Sequence, residues 1–339
     1  MKKVFSQSEL ARNLGLSDWT VSRALNGHPA VKESTRQRVI AATQEMSFQP
    51  DPFARALRGK KTGMVGISVN TLRNSILLEK LASFNDFLHE HGLRGILMYN
   101  ERMGATELRG LADFRSLRVD AVVLVQSYLS PDKVEKALSG LPCVHVDPIE
   151  SQHDHTVEMN RNHGIKLLIN HLVGLGHRNF GTLGIHKKNM WRWPGLFEAL
   201  KSHGLIPSRH LKQYPPLESP AQSYEMGALY AKMVINDPKA PTALIAINDS
   251  VALATAQYLI SHGFSVPQRF SVTGFDHLEI ADHLNPTLTT VDHQPQKLME
   301  AVGSMLLKQL GICKTTKIKK RVVVPPKLII GESTGQAPQ

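Results

Sequence analysis

Short apolar runs alternating with amphipathic helical stretches, twice over, constrain this chain more than any other feature. "GMVGISV", "RGILMY", "DAVVLVQ" and "PCVHVD" are separated by patterns such as "ILLEKLASFNDFLHEHG". Runs that are apolar throughout suit strands buried on both faces, as in parallel sheets with crossover helices. The rhythm resumes with "HLVGLGHRNFGTLG", "GLFEALKSHG", "TALIAIN", "SVALATAQYLISHG" and "FSVTGF". Two such blocks predict an α/β body of two doubly wound parallel-sheet subdomains. Ligands in open parallel sheets sit beyond the carboxyl ends of the strands, so the cleft between the subdomains is the expected ligand site.

The segment before Gly63 has a different texture. Residues 6–13, 17–26 and 32–46 read as three short helices, with turn residues in "NLGLS" and "NGHPAV". Charge separates this head from the body. Residues 1–61 hold eleven Lys/Arg against five Asp/Glu, and 314–339 hold six against one, while the stretch between has 23 of each. A basic head on a neutral body predicts a polyanion-binding module joined to something that handles another ligand. The basic tail reads more simply as a solvated strand or end segment.

On the second helix Val21 and Leu25 share a face that Leu10 and Leu14 of the first can meet. At 100° per residue, Trp19, Ser22, Arg23 and Asn26 fall on the opposite face. A hydroxyl, a guanidinium and an amide can bond to base edges or phosphates in a major groove. With a turn at Gly15 and Ser17 as N-cap, the spacing is that of a helix-turn-helix.

The run "SELARNLGLSDWTVSRALNGHPAVKESTRQRVIAATQEMSFQPDPFARALRGKKTGMVGI" resembles the amino terminus of the LacI/GalR (lactose-repressor) family of transcription regulators. Leu16-Ser17, Thr20-Val21-Ser22-Arg23 and Leu25-Asn26 meet the family pattern, as do Thr35 and Arg36. The likeness runs to near the C-terminus and implies an all-α helix-turn-helix head on a periplasmic-binding-protein-like body. It divides the chain into a head (1–50), a hinge helix (51–61), a body (62–330) and a tail (331–339). Within the body it groups 62–160 with 291–330, and 161–290 apart. It also implies a homodimer on a pseudo-palindromic double-stranded DNA operator.

For DNA contact the resemblance points to Ser6, Ser17, Asp18, Trp19, Thr20, Ser22, Arg23 and Asn26 in the head, and Ala54 and Leu57 in the hinge. Asp18 and Trp19 occupy the two positions where members differ in operator preference. Asp18 either accepts from a cytosine amino group or, as a first-turn acid, complements the helix dipole. Trp19 either touches a thymine methyl or packs on the turn. In "DPFARALRGKK", Leu57 either wedges between base steps in the minor groove, flanked by cations, or packs on the body. Asp51 stands where the family usually has Asn.

In the body the resemblance assigns "WRWPGL" to the effector-binding arginine, Arg192, with Trp191 or Trp193 as an aromatic platform or as core. "IAINDSVAL" supplies Asn248 and Asp249, and "VTGFDHLEI" supplies Asp276. Each has a plainer reading, Asp249 as a helix cap, Asp276 as a turn residue and Arg192 as a surface charge. After "VGISV" the family offers aromatics, whereas this chain has Arg73, Ser75 and Ile76. Asn160 replaces a common aspartate. These departures extend the expected effector from a sugar to a sugar acid or sugar phosphate.

The remaining expectations are exclusions. No apolar run reaches membrane-span length and "MKKVFSQSEL" lacks a signal-peptide block, so a cytoplasmic protein is expected. Cys143 and Cys313 give no metal spacing and read as reduced thiols, and "QHDHT" reads as a solvated loop rather than a metal site. "GKKT" lacks the upstream glycine of a phosphate-binding loop. No catalytic or cofactor motif appears, so neither an enzyme nor a cofactor is expected. The tail "TTKIKKRVVVPPKLIIGEST" holds no leucine heptad of the kind that makes some relatives tetrameric. The rival readings are a solute-binding protein and a sugar-processing enzyme carrying a DNA-binding head.

Overall fold

The computed structural model describes residues 6–25, 28–46, 48, 59, 61–100, 105–149, 153–187, 191–215, 223–313 and 319–339. The expected hinge contacts Ala54 and Leu57, and Asn26 of the head, lie outside these residues.

The head is three helices, α1 (Gln7–Leu14), α2 (Asp18–Leu25) and α3 (Glu33–Glu45). Ser6 starts α1, its hydroxyl accepting from the Glu9 amide at 3.1 Å. Gly15 ends it at φ +62°, a left-handed conformation that glycine adopts without a Cβ clash. Ser17 caps α2 by accepting from the Thr20 amide at 3.1 Å. Leu10, Ala11, Val21, Ala24, Val31, Val39, Ala42 and Phe48 close a small core, with Leu14 and Leu25 at its edge.

The first subdomain contributes β1 (Met64–Val69), α4 (Ser75–Glu90), β2 (Arg94–Tyr99), α5 (Ala105–Ser116), β3 (Ala121–Val125), α6 (Pro131–Leu138), β4 (Cys143–Val146) and β5 (Thr156–Met159). The chain then builds α7 (Arg161–Gly174), β6 (Phe180–Leu183), α8 (Trp193–Ser202), α9 (Pro207–His210), β7 (Leu211–Tyr214), α10 (Ser223–Ile235), β8 (Ala243–Ala246), α11 (Asp249–Ser261) and β9 (Ser271–Thr273). It returns through β10 (Thr290–Asp292), α12 (Pro295–Gln309), β11 (Arg321–Val324) and β12 (Lys327–Ile329).

Two parallel sheets result, one ordered β11-β5-β4-β3-β1-β2 and the other β7-β6-β8-β9. The burial of β1, β3, β6 and β8 on both faces is what their unbroken apolar runs dictate. Between the sheets β10 pairs antiparallel with β12, with Val291 opposite Leu328. The basic tail region supplies β11, whose Arg321 and Lys320 pair with Glu158 and Asp154. Beyond β12 the chain crosses again to the second sheet. Ser333 bonds Val272 through both its backbone and its hydroxyl, and the Ala337 amide donates to the Leu175 carbonyl at 2.8 Å.

His177, fully buried, secures this last crossing. Its Nδ1 meets the Thr242 hydroxyl at 2.8 Å, and Nε2 lies 2.9 Å from the Ser271 hydroxyl and 3.1 Å from the Gly335 carbonyl. Burial lowers its pKa below the ordinary 6.5. A histidine depressed in the folded state contributes stability that is complete above its unfolded pKa and lost as pH falls through the folded one. Thermal unfolding should therefore shift to lower temperature on acidification from about pH 7.5 to about pH 5, and His177→Gln should flatten that dependence. An identical pH profile in the variant would remove His177 from the account.

Candidate functional site

A cavity of about 220 Å³ opens where the carboxyl ends of both sheets meet. The first sheet sends Val125 and Gln126 from the end of β3 and Asp147 from the end of β4, and the start of α4 sends Asn74, Ile76, Leu77 and Lys80. From the other side come Arg161 at the start of α7, Trp191 and Arg192 before α8, and Ile247 and Asn248 after β8. Asp276 after β9 and His293 after β10 complete the wall. Gln126 and Asp147 adopt φ of +53° and +47°, sparsely populated conformations for side chains of this size that cluster at functional sites.

Local sequence explains these placements. The Asn74 carboxamide caps α4 by accepting from the Ile76 amide at 3.2 Å. Ile76, Leu77, Lys80, Phe84 and Leu88 then share one buried stripe at three- and four-residue spacing, and Lys80 is its one charged member. Gly195 lets α8 approach α7, since a Cβ there would stand 2.4 Å from the Asn162 carbonyl oxygen. The Gly195 amide donates to the Asn162 carboxamide at 2.8 Å, which holds Trp191 and Arg192 at the wall.

Asp147 is the electrostatic centre. Its carboxylate accepts from both terminal nitrogens of Arg161 at 2.8 Å, from Lys80 Nζ at 2.9 Å and from the Met159 amide at 3.0 Å. Burial alone would raise this acid, but Arg161 and Lys80 together hold it far below the usual carboxylate range. Arg161 also faces the Trp191 ring at 5.1 Å, and Arg192 lies over Phe275 at 4.1 Å. Burial and then the Arg161 charge pull Arg192 down to about 10, which leaves it charged at neutral pH.

Asp276 and His293 are further polar groups of the wall. Burial, then the neighbouring Asp249, raises the Asp276 carboxyl well above its ordinary value. His293 Nε2 stands 3.4 Å from the Asp276 carboxylate. Neither ring nitrogen of His293 has a hydrogen-bond partner among the described residues, although the side chain is 2% exposed. Burial, followed by the charges of Lys80, Arg161 and Arg192, keeps that ring unprotonated.

Of the expected effector residues, Ile76, Trp191, Arg192, Asn248 and Asp276 converge on the cavity. Arg73 and Ser75 do not; both are exposed, because Asn74 turns inward to cap α4 and its neighbours point away. Asp249 lies behind the wall, accepting from the Leu278 amide at 2.7 Å and the Thr290 hydroxyl at 2.5 Å, while Asn248 is the cap of α11. Trp193 packs tilted against Phe197, ring centroids 4.9 Å apart, beside the core, and it is Trp191 that lines the cavity. Sequence reasoning missed Lys80, Asp147, Arg161 and His293. A lysine inside the apolar stripe of "ILLEKL" and an acid closing "PCVHVD" were the available signals.

On the head, Trp19 is 61% exposed and the Arg23 guanidinium stacks on its ring at 3.5 Å. Asp18 faces the first helix, its carboxylate accepting from the Ser8 hydroxyl at 2.5 Å and its carbonyl from the Gln7 side chain at 2.8 Å. Ser6 and Ser17 serve as the two helix caps, with Thr20 bonded to Ser17 and Ser22 half-buried beside Arg23.

Asp147→Ala should cost about 3–5 kcal/mol of stability in urea unfolding, because it strands two buried cations. Adding Lys80→Met should restore part of the loss. A single variant as stable as the parent would contradict the role given to Asp147.

Residues 8–51 match the family model described as bacterial regulatory proteins, lacI family, and residues 169–334 match the periplasmic binding protein-like domain. The HTH-type transcriptional regulator DegA of Bacillus subtilis is 27% identical over 96% of this chain and 97% of its own length. The fold matches the lac repressor dimer bound to operator and the anti-inducer ONPF, with a TM-score of 0.84 at 23% identity over 98% of this chain and 100% of that one. A transcriptional regulator CelR–cellobiose complex matches at a TM-score of 0.67 and 22% identity, over 97% of this chain and 99% of that one. With a head, a two-lobed body and relatives that agree along nearly its whole length, the chain belongs to the lacI family of bacterial transcriptional regulators.

Proposed function

We propose that the head grips a duplex operator and that a small molecule in the cavity sets the strength of that grip. The observation that carries this reading is Trp19, an exposed indole on a helix whose other face is closed into core. Such a residue costs solubility and serves no packing purpose, whereas its apolar edge and the stacked Arg23 suit base and phosphate contact. Ser17, Thr20 and Ser22 lie on the same short helix, with Ser6 and Asp18 at its flank. Asn26, Ala54 and Leu57 extend the contact set by family analogy.

In this reading residues 1–50 are the reading head, 51–61 the hinge, 62–330 the effector and dimer body, and 331–339 the tail. Two copies bind a pseudo-palindrome, a reading supported by the structural neighbour that is a lac repressor dimer bound to operator. The effector is a sugar or sugar derivative, by analogy with the relative that holds cellobiose. Ile76, Trp191, Arg192, Asn248 and Asp276 contact it directly. Arg73, Ser75 and Asp249 support the wall from behind or from the rim. The chain works where DNA is, in the cytoplasm, and it binds its ligand without turning it over. The effector acts by binding one arrangement of the two lobes better than the other; only that difference shifts the head between competent and incompetent forms.

Fluorescence anisotropy with genomic fragments tests this. Binding should weaken steeply between about 50 and about 200 mM salt. Trp19→Ala should cost about 1–3 kcal/mol on the preferred site and much less on scrambled duplex. An effector should change the operator affinity by about 5–150-fold. Equal losses on both duplexes would show that Trp19 does not read sequence.

A further inference from the structure

The cavity wall is unusual in its charge. Lys80, Arg161 and Arg192 reach it from three different elements, α4, the start of α7 and the turn before α8, and all three side chains are buried. Buried cations are costly unless matched, and lysine is rarely buried at all without a partner. Asp147 matches Lys80 and Arg161 with a single carboxylate that spans both, which leaves that cluster one positive charge in excess. Arg192 adds a third cation. The second acid of the wall, Asp276, sits beside Asp249 in a dry environment, and two crowded carboxylates favour retaining a proton. Arginines have no comparable escape, since a guanidinium keeps its charge in proteins. The wall therefore carries Lys80, Arg161 and Arg192 against the carboxylate of Asp147, with Asp276 and His293 as further polar groups. His293 faces the cavity with neither ring nitrogen hydrogen-bonded among the described residues, its Nε2 standing 3.4 Å from the Asp276 carboxylate. Such an arrangement waits for a ligand hydroxyl.

Resting on the reading of this cavity as the effector site, we propose that the effector is a small polyhydroxy anion. Its carboxylate or phosphate group seats between Arg192 and the Lys80–Arg161 pair, and its hydroxyls bond His293 and Asp276. At about 220 Å³ the cavity is smaller than the roughly 300–1,000 Å³ of sites that take drug-sized ligands, so the anion has the size of one sugar unit. Trp191 provides the apolar face against which the carbon skeleton lies.

Isothermal titration calorimetry on the full chain tests this with three matched groups of probes: hexonates and hexuronates, hexose phosphates, and the parent neutral hexoses. An acid or a phosphate should bind at least roughly tenfold more tightly than its parent hexose, and the better of the two charged groups identifies the anion. Lys80→Met, which leaves Asp147 paired with Arg161, should weaken the charged ligand roughly tenfold or more and its parent neutral hexose markedly less. Arg192→Gln, a second route should the first variant misfold by circular dichroism, should weaken the charged ligand roughly tenfold or more as well. A neutral hexose that outcompetes its acid and phosphate overturns the anionic assignment, and if Arg192→Gln abolishes its binding the cavity stands as effector site. Absence of heat from every probe overturns the assignment as well. Charged-ligand affinity unchanged in both variants refutes the seating and the effector cavity together.

Discussion

Asp147 brings one buried negative charge against two buried positive ones, and the body is arranged around that contact. The carboxylate follows β4, Arg161 opens α7 and Lys80 belongs to α4, so a single group joins the carboxyl end of a central strand of the first sheet to the first helix of the second lobe. Each partner would be intolerable alone in so dry a place, and together they are held by four short hydrogen bonds. The cluster also creates the imbalance that shapes the cavity above it. Structure and recognition thus depend on the same few atoms.

The position of the cavity follows from topology. Parallel strands point their carboxyl ends one way, and each following helix begins there, so side chains from loop after loop converge. The second lobe repeats the arrangement with its open end turned to the first. Arg161 and His293 sit at the points where the chain passes between lobes, one just beyond β5 and the other just beyond β10. A ligand that touches both residues touches the connections themselves, which is how occupancy of a small space acts on the relation of two large bodies.

Much of this was legible in the residues and some was not. The unbroken apolar runs gave β1, β3, β4 and β8 within a residue or so, because full burial leaves no ambiguity of face. β5 escaped notice and β11 was read only as a strand or end segment of the basic tail, since "TVEM" and "RVVV" carry charge and gain their place in the sheet from pairing with each other and, for β5, with β4. In the cavity, Arg192 and Asp276 were recognisable from the family pattern. Lys80 and Arg161 were not, because their role depends on Asp147, about seventy positions away in one case, and pairing at such range leaves no periodic trace. Asp249 was misplaced for a related reason: an acid at a helix start looks the same whether it faces ligand or backbone amides. The opening turns of α2 show the same limit, as Asp18 engages Ser8 of the preceding helix rather than standing open beside Trp19.

The returning tail has a consequence for how the molecule is made. Neither lobe is continuous in sequence: the first sheet lacks an edge until residues 321–324 arrive, and β9 lacks the Ser333 hydrogen bonds to Val272 until that residue follows. During synthesis, where the chain emerges from its amino end, the three-helix head has all it needs early, whereas both lobes wait for residues 321–333. A nascent chain that has not reached these residues therefore carries a folded head on an incomplete body, and the two become one device only when the returning segments arrive.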